Sequence, residues 1–252
     1  WLKAQGVQFS LNTEVTGLEF DLGGGQRSVQ DIRYTNEGKP NSITVTPDDL
    51  VFVTLGCMTE AASLGSMSSP AVLNSKTSGG AWILWEDIAN GRPGFGHPAV
   101  FADHIDQTKW MSFTVTLSDP AFFQFMEDFT GNEAGTGGLF TMVDSSWFMS
   151  IVLAHQPHFI NQPENISVFW GYGLFPDRIG NYVKKTMSDC TGEEILIELF
   201  QHLKLGGKTQ DVMAAANCIP CMMPFITSQF MPRVKGDRPD VVENHDEKTD
   251  DV

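Results

Sequence analysis

Hydrophobic and polar residues alternate through most of the first sixty positions, and short turns interrupt the alternation. Residues 7–21 and 32–36 are rich in β-forming residues, so both segments predict strand structure. Residues 50–55, LVFVTL, form a continuous apolar run, which predicts a strand buried on both faces of a parallel sheet. Gly6 is typical of a helix end, so the first residues are expected to close a helix.

Helical and strand patterns alternate in the remainder of the chain. The clearest helix is predicted over residues 191–207, where apolar residues share one face and acidic residues occupy the first turn. Gly206 and Gly207 are expected to stop it. Together the patterns predict an α/β fold. Further helices are predicted around residues 80–90 and 120–131, and strands within 111–119, 137–156 and 166–174.

Charge limits the possible partners of the chain. The 252 residues include 16 Lys and Arg against 31 Asp and Glu, which gives a formal net charge of -15. No cluster of Lys and Arg along the chain offsets this negative charge, so no nucleic-acid partner is expected. Residues 243–252, ENHDEKTDDV, predict an acidic disordered tail. No apolar run has transmembrane length and no signal peptide is recognisable, so neither is expected.

The four cysteines are too few for a disulfide scaffold and indicate a reducing compartment, which predicts a cytoplasmic protein. Cys218 and Cys221 have the spacing of a metal or redox motif. A zinc site would need two more ligands, but Cys57 and Cys190 are each isolated. The neighbouring prolines do not suit the strand-to-helix context of a thioredoxin motif. Buried structural thiols are the favoured interpretation, and no metal site is predicted.

Other catalytic signatures are absent from the sequence. The glycine run at residues 22–26, LGGGQ, predicts a hairpin turn, because no Gly-Lys-Ser/Thr and no helix follow it. No serine lies in a nucleophile elbow, and there is no His-Glu-x-x-His helix. Gly56 ends the apolar run at 50–55 and would let backbone approach a ligand closely. An ordinary strand-to-loop glycine is equally consistent with this position.

Residues 155–174, HQPHFINQPENISVFWGYGL, combine two histidines with an aromatic run. One interpretation is structural, with the rings of His155 and His158 capping loop carbonyls. The other is functional, with a polar anchor at the end of an apolar pocket that the aromatic residues line. A histidine can give a carboxylate a charge-assisted hydrogen bond where burial would otherwise cost free energy.

Five stretches of the chain carry a family resemblance. They are GVQFSLNTEVTGLEFD, DDLVFVTLGCMTE, HQPHFINQPENISVFWGYGLFPD, GNYVKKTMSDCTGEEIL and IPCMMPFITSQFMPR. Together they resemble oleate hydratase, a flavoprotein family also known as myosin-cross-reactive antigen, from Trp1 to about Val242. The resemblance implies an FAD-binding enzyme that adds water across the cis double bond of a free unsaturated fatty acid, typically converting oleate to 10-hydroxystearate. It also implies that FAD acts structurally and electrostatically.

The resemblance also implies that parts of the family pattern lie outside this chain. The family's glycine-rich dinucleotide fingerprint and its catalytic Glu and Tyr precede the region that matches Trp1. The closing FAD-contact segment is replaced by the acidic tail. We therefore expect a central-to-C-terminal fragment that is inactive alone and holds no catalytic residue. A homodimer and peripheral membrane contact are compatible with the complete protein.

The family pattern assigns cofactor and substrate positions residue by residue. For FAD, it implies a backbone contact from Val15 to the adenine and an approach of Gly56, Cys57 and Met58 to the flavin side. Many family members have Ser at the position of Cys57. The resemblance assigns three further positions to the fatty-acid carboxylate, where a Thr, an Asn and a His of the family correspond here to Val152, Ala154 and His158.

Neither Val152 nor Ala154 can donate a hydrogen bond from its side chain. Carboxylate recognition is therefore expected to rest on His158, with His155 or Gln156 as replacement donors. The unsaturated fatty acid is the expected ligand of this segment.

The resemblance implies a glutathione-reductase-like FAD domain interrupted by a mixed-sheet substrate domain. The expected ranges are 1–72 for the FAD domain, 73–215 for the substrate domain and 216–252 for a segment that returns toward the FAD domain and ends in the tail. Two alternatives to hydration remain at this point. One is a non-catalytic lipid-binding or degraded fragment, and the other is a flavin oxidoreductase.

Overall fold

A computed structural model describes residues 1–23 and 27–239, so the predicted acidic tail and most of the predicted hairpin turn at 22–26 lie outside the described residues. The chain divides into two compact units that interleave along the sequence. The first unit contains Trp1–Cys57, Lys76–His104 and the described chain from Phe230 onward, and the second contains Met58–Ser75 and Ile105–Gln229.

The two units and the three predicted domains are different divisions of the chain. The predicted ranges 1–72, 73–215 and 216–252 describe roles in a complete protein, and they stay predictions.

The first unit holds a three-stranded antiparallel sheet in which consecutive strands are neighbours. A short 3-10 turn at Leu2–Gln5 precedes the sheet and ends at Gly6, whose positive φ of 87° confirms the predicted helical end. The strands are β1 (Thr13–Asp21), β2 (Ser28–Asn36) and β3 (Lys39–Thr44), and the helices are α1 (Ala81–Ala89), as predicted, and α2 (Ala99–Ala102).

The buried parallel strand predicted at residues 50–55 is wrong. These residues form no strand, and Leu50 and Phe52 are 73% and 93% exposed. A strand of this kind requires neighbours along both edges and layers on both faces. None of the strands formed by the described residues pairs with this run, so its apolar sequence has no sheet to join.

The second unit is built on a six-stranded sheet. Its strands are β4 (Ser63–Leu64), β5 (Trp110–Leu117), β6 (Phe140–Met142), β7 (Met149–Leu153), β8 (Ser167–Gly173) and β9 (Ala216–Met223). They lie in the order β4-β9-β5-β8-β7-β6, and their pairings are antiparallel. The mixed sheet predicted for this region is therefore wrong. Parallel neighbours require long crossover connections, whereas the turn between β6 and β7 needs only a few residues.

Strand β9 was not predicted, and Pro220 lies near its middle, where proline is unfavourable in a central strand. The sheet accommodates Pro220 because the side of its backbone that lacks an N–H faces the short strand β4. The carbonyl of Pro220 accepts a hydrogen bond from the Gly65 N–H at 2.8 Å, just beyond β4. In an antiparallel ladder the N–H and C=O of one residue point to the same side. The missing N–H of Pro220 therefore faces the end of β4, and no bond to β5 is lost.

Helices cover one face of the six-stranded sheet. The helices of this unit are α3 (Ile105–Thr108), α4 (Ala121–Thr130), α5 (Gly192–Leu203) and α6 (Thr209–Ala215). Phe122 of α4 stacks on Phe169 of β8 with ring centroids 4.6 Å apart, and Phe200 of α5 lies 5.9 Å from Phe122. These rings belong to the main hydrophobic core.

Helix α5 confirms the strongest helical prediction and shows why it begins where it does. The Thr191 hydroxyl accepts a hydrogen bond from the Glu194 N–H at 3.3 Å, and the Glu194 carboxylate accepts one from the Thr191 N–H at 3.0 Å. This reciprocal cap satisfies two backbone donors that the helix itself cannot pair. Lys204 adopts the left-handed conformation after the last turn, so the helix ends just before the predicted glycines.

Candidate functional site

Register divides the side chains of the six-stranded sheet between two faces. Residues that lie opposite each other in an antiparallel ladder point to the same face, and successive residues alternate. Met111 and Phe113 of β5 are fully buried beneath the helices, whereas Thr114, the next residue along the strand, is exposed. We call the uncovered side the open face. Its side chains include Leu64, Trp110, Ser112, Thr114, Val152, Trp170, Tyr172, Ile219, Cys221 and Met223.

Three aromatic side chains form a continuous row on the open face. Trp170 and Tyr172 stack with ring centroids 5.9 Å apart, and Tyr172 stacks on Trp110 at 5.2 Å. Trp170 is 39% exposed. We call these three residues the aromatic row. They give the middle of the sheet a flat, largely apolar surface of stacked rings.

The sheet separates members of the aromatic run that the sequence predicted to line one pocket. Trp170 and Tyr172 belong to the open face, but Phe169 is fully buried on the covered face against Phe122. Phe159 lies outside the strand in the preceding loop and is exposed. The strand period of two therefore leaves Trp170 and Tyr172 as the residues of this run that can meet a ligand on the open face.

Residues 154–166 connect β7 to β8, and a glutamine network holds this β7–β8 loop together. The side-chain amide of Gln156 donates hydrogen bonds to the carbonyls of Ala154 and Val168, each at 2.9 Å. Its oxygen accepts from the side chain of Gln162 at 2.8 Å and from the Val168 N–H at 3.1 Å. Both amide hydrogens of Gln156 are therefore used inside the loop.

Gln162 completes the network on the other side of the loop. Its side-chain oxygen accepts from the backbone N–H groups of His158 and Phe159 at 2.9 and 3.1 Å, and its amide also donates to the Ile166 carbonyl at 2.7 Å. Sequence reasoning missed Gln162. Its only signal was a second Gln-Pro pair six residues after the first.

The network anchors the backbone of His158 while its ring stays at the surface. The imidazole meets the ring of Phe159 edge to face, with centroids 4.7 Å apart. His155 is exposed as well. Its backbone lies so close to Gly135 that a Cβ added at position 135 would overlap His155. The loop-tying role that the sequence allowed for the histidines is carried here by Gln156 and Gln162.

The structure brings His155, Gln156 and His158 together in one loop at the end of β7 and β8. Val152, the position implied for the family's threonine, is directly opposite Trp170 on the open face. Gln156 would have to release one of its internal bonds before it could donate to a ligand. The substrate contacts of the three residues stay predictions.

The implied FAD positions lie on exposed or glycine-containing backbone. Val15 is in β1, an edge strand of the three-stranded sheet, and such a strand has backbone groups that can meet an adenine ring. Gly56 has a positive φ of 71°, and an added Cβ would lie 2.6 Å from the Trp82 indole. Cys57 is half-buried and Met58 is exposed. The backbone contacts implied for these residues fit the structure, and their binding of FAD stays a prediction.

The two cysteines of the CxxC pair lie in strand β9 and point to opposite faces of the sheet. Cys218 points to the covered face and Cys221 to the open face, since residues three apart in a strand face opposite sides. Burial raises the pKa of the Cys218 thiol to about 12. Within residues 1–23 and 27–239, no three His, Cys, Asp or Glu side chains gather as a metal site. The same ranges contain no helix with the length and apolar character required to cross a membrane.

Comparison with known proteins provides independent evidence about the family of this chain. A profile of the MCRA family matches residues 1–248. The chain is 40% identical over 251 residues to the oleate hydratase of Streptococcus pyogenes serotype M49 (strain NZ131), covering 96% of this chain and 42% of that protein. It is 29% identical over 270 residues to the linoleate hydratase of Lactiplantibacillus plantarum, covering 97% of this chain and 47% of that protein. The chain thus spans less than half the length of either relative.

Proposed function

This chain belongs to the MCRA family, as its sequence motifs predicted, and on that basis we propose that it is part of a fatty-acid hydratase. The reaction adds the hydroxyl of water to one carbon of a cis double bond and hydrogen to the other, with no oxidant or reductant. Oleate is the proposed substrate, and 10-hydroxystearate is its product. Relatives named for oleate and linoleate hydration support this choice.

We assign substrate holding and part of the cofactor site to this chain, and the acid–base chemistry to a longer protein that contains it. The described strands of the six-stranded sheet contain no carboxylate, imidazole or ammonium group, so the open face presents hydroxyl, thiol and apolar side chains and no carboxylic acid or histidine for acid–base chemistry. The match to less than half of each relative supports this division.

The observation that carries the proposal is the continuity between the β7–β8 loop and the open face. Strand β8 begins where the loop ends, and Trp170 is the fourth residue of that strand. A fatty acid needs a polar anchor for its carboxylate and an apolar surface for its tail. The exposed ring of His158 is suited to the first requirement and the aromatic row to the second.

The anchor and the tail contribute differently to binding. Each buried methylene stabilises the complex by roughly 0.8 kcal/mol whatever its position, so the tail supplies affinity without fixing register. A hydrogen bond from His158 to the carboxylate would fix one end of the chain. Register then decides which double bond meets the reacting groups.

FAD is the proposed cofactor. Val15 would hold the adenine end through its backbone, and Gly56, Cys57 and Met58 would lie toward the flavin. When bound, FAD supplies structural support and a fixed charge distribution and is not consumed. The β1 edge and the Gly56 backbone are the features of this chain that fit such a role.

Hydration is tested with the full-length protein that contains this chain, loaded with FAD and given oleate without a reductant. We expect a product one water heavier than oleate, whereas the isolated chain with FAD should give none. Binding of oleate without product would favour the lipid-binding alternative. A product that forms only with an electron donor or acceptor would favour a flavin oxidoreductase.

A further inference from the structure

Gln156 and Gln162 use every hydrogen bond that their side chains can make, and we call them the glutamine pair. An amide side chain has two N–H donors and an oxygen that accepts two hydrogen bonds. Gln156 donates to the carbonyls of Ala154 and Val168, and it accepts from Gln162 and from the Val168 N–H. A fully satisfied network is rigid, because a change of rotamer would leave polar groups without partners.

Gln156 attaches the β7–β8 loop to the sheet. Strand β7 ends at Leu153, which lies opposite Phe169 of β8. The preceding residue of β8, Val168, is buried, and both of its backbone groups bind the Gln156 side chain, the carbonyl at 2.9 Å and the N–H at 3.1 Å. In an antiparallel ladder the N–H and C=O of one residue point to the same neighbour. The Gln156 amide therefore occupies the place that the next residue of β7 would take.

Gln162 attaches His158 to Gln156. Its amide donates to the Gln156 oxygen at 2.8 Å, and its own oxygen accepts from the backbone N–H groups of His158 and Phe159 at 2.9 and 3.1 Å. Hydrogen bonds thus connect Val168 in the sheet, through the glutamine pair, to the backbone of His158. The imidazole of His158 lies outside this connection and is exposed.

We propose that the glutamine pair positions His158 relative to the sheet and that neither glutamine contacts the fatty acid. This inference rests on the proposed function and adds the residues that fix the carboxylate end of the substrate. It assigns Gln156 a different role from the replacement donor that the sequence suggested. Both N–H groups of Gln156 already have acceptors, and release of either one would detach the loop from Ala154 or Val168.

Positioning matters because the carboxylate is remote from the double bond. A donor that holds one end of the fatty acid decides where the reacting carbons lie, and a misplacement of about 1 Å can cost on the order of 100-fold in rate. Residues on loops hold a ligand less precisely than residues on strands. The connection to Val168 gives a loop histidine the precision of a buried strand.

The test compares Gln162→Met with the parent in the full-length protein. Methionine keeps the length of the side chain and removes all four hydrogen bonds. Calorimetric titration gives the Kd for oleate and for oleyl alcohol, which has the same hydrocarbon and no carboxylate. We expect the Kd for oleate to rise about tenfold and the Kd for the alcohol to change by less than about twofold.

The same substitution in the His158→Ala protein completes a double-mutant cycle. The effect of Gln162→Met on oleate should disappear there, because a ring that is absent cannot be positioned. A purely structural role would weaken both ligands together, and its effect would persist without His158. Either of those results would overturn the proposal. Gln124→Met is the matched control, since it breaks an exposed side-chain bond to Asp128 in α4 and should leave both Kd values unchanged.

The melting temperature verifies that each variant is folded during the titration. If Gln162→Met does not fold, Gln162→Glu takes its place, because it keeps the shape and the acceptor oxygens and loses the two donor bonds. Repulsion between its charge and the ligand would persist in the His158→Ala protein, whereas a positioning effect would vanish. An effect that persists there would contradict the inference.

Calorimetry separates this inference from the proposed function, since it requires no turnover. A protein that hydrates oleate without coupling between Gln162 and His158 contradicts only the inference. A protein that shows the coupling and forms no product contradicts only the proposed hydration.

Discussion

Val152 and Trp170 lie directly opposite each other on β7 and β8, and both side chains belong to the open face. The residue before Trp170, Phe169, points to the other side and stacks on Phe122 at 4.6 Å. One strand thus supplies a core residue and a surface residue at consecutive positions. The position implied for the family's carboxylate-binding threonine is therefore next to the aromatic row.

Val152→Thr should restore a donor at this position. The change replaces a methyl group by a hydroxyl, and a hydrogen bond to a charged group contributes about 1.5–3 kcal/mol net. We expect the KM of the full-length protein for oleate to fall by about tenfold or more. The control Val115→Thr places the same hydroxyl on the covered face, where Val115 is fully buried. It should lower the melting temperature without improving KM, and equal KM values for parent and Val152→Thr would contradict a carboxylate near Val152.

His158→Ala should weaken recognition of the free acid. Loss of a charge-assisted hydrogen bond predicts a rise in KM or Kd for oleate of about tenfold or more. The methyl ester lacks the carboxylate and should be affected much less. His155→Ala is the matched control in the same loop, and we expect a smaller effect there. If His158→Ala still discriminates acid from ester as the parent does, His158 does not hold the carboxylate.

Gly56→Ala should destabilise the first unit through two separate effects. The left-handed conformation costs a residue with a Cβ roughly 1–2 kcal/mol, and the added methyl would also lie 2.6 Å from the Trp82 ring. Gly38→Ala isolates the first effect, because Gly38 has a φ of 75° and open space around it. Unfolding in urea should show a larger loss for Gly56→Ala, and equal losses would mean that the Trp82 ring moves aside freely.

Glu198→Gln should loosen the segment that precedes α5. The Glu198 carboxylate is fully buried and accepts hydrogen bonds from the backbone N–H groups of Asn181, Tyr182 and Val183 at 2.6–2.9 Å. A neutral amide has one acceptor oxygen in place of two, so at least one of these N–H groups loses its partner. We expect a loss of about 1–3 kcal/mol in unfolding free energy.

Glu193→Gln is the control for that variant, since it removes one charge from an exposed position of the same helix. Its effect should stay within about 0.5 kcal/mol of the parent. Comparable losses for the two variants would indicate that helix charge, and not the buried hydrogen bonds, determines the result.

Alkaline pH should destabilise the second unit through its buried thiols. Burial raises the pKa of both Cys190 and Cys218 from 9.0 to about 12. Above pH 9.0 the unfolded chain releases these protons while the folded chain keeps them, so stability is full below pH 9.0 and is lost toward pH 12. Unfolding free energies of the parent and of Cys218→Ala across this range should differ in slope. Native-state alkylation of Cys218 just below pH 9.0 would contradict its burial.

Much of the secondary structure follows from local sequence. The capping pair Thr191 and Glu194 and the apolar face behind it determine α5, and the period of two in residues 167–173 determines that Trp170 and Phe169 point to opposite faces. These signals act between residues a few positions apart, so they operate without knowledge of the fold. The family, too, was recognisable from motifs that lie along the chain.

Tertiary structure decided what depends on distant partners. Residues 50–55 have the composition of a buried strand, but a strand forms only where other strands pair with it, and none of the described strands does. The role of Gln162 depends on the return of the loop to Gln156, and the need for glycine at position 56 depends on the Trp82 ring. The antiparallel order of the six strands likewise arises from long-range pairing. Sequence determines the preference of each segment, and the free energy of pairing with distant residues decides whether that preference is realised.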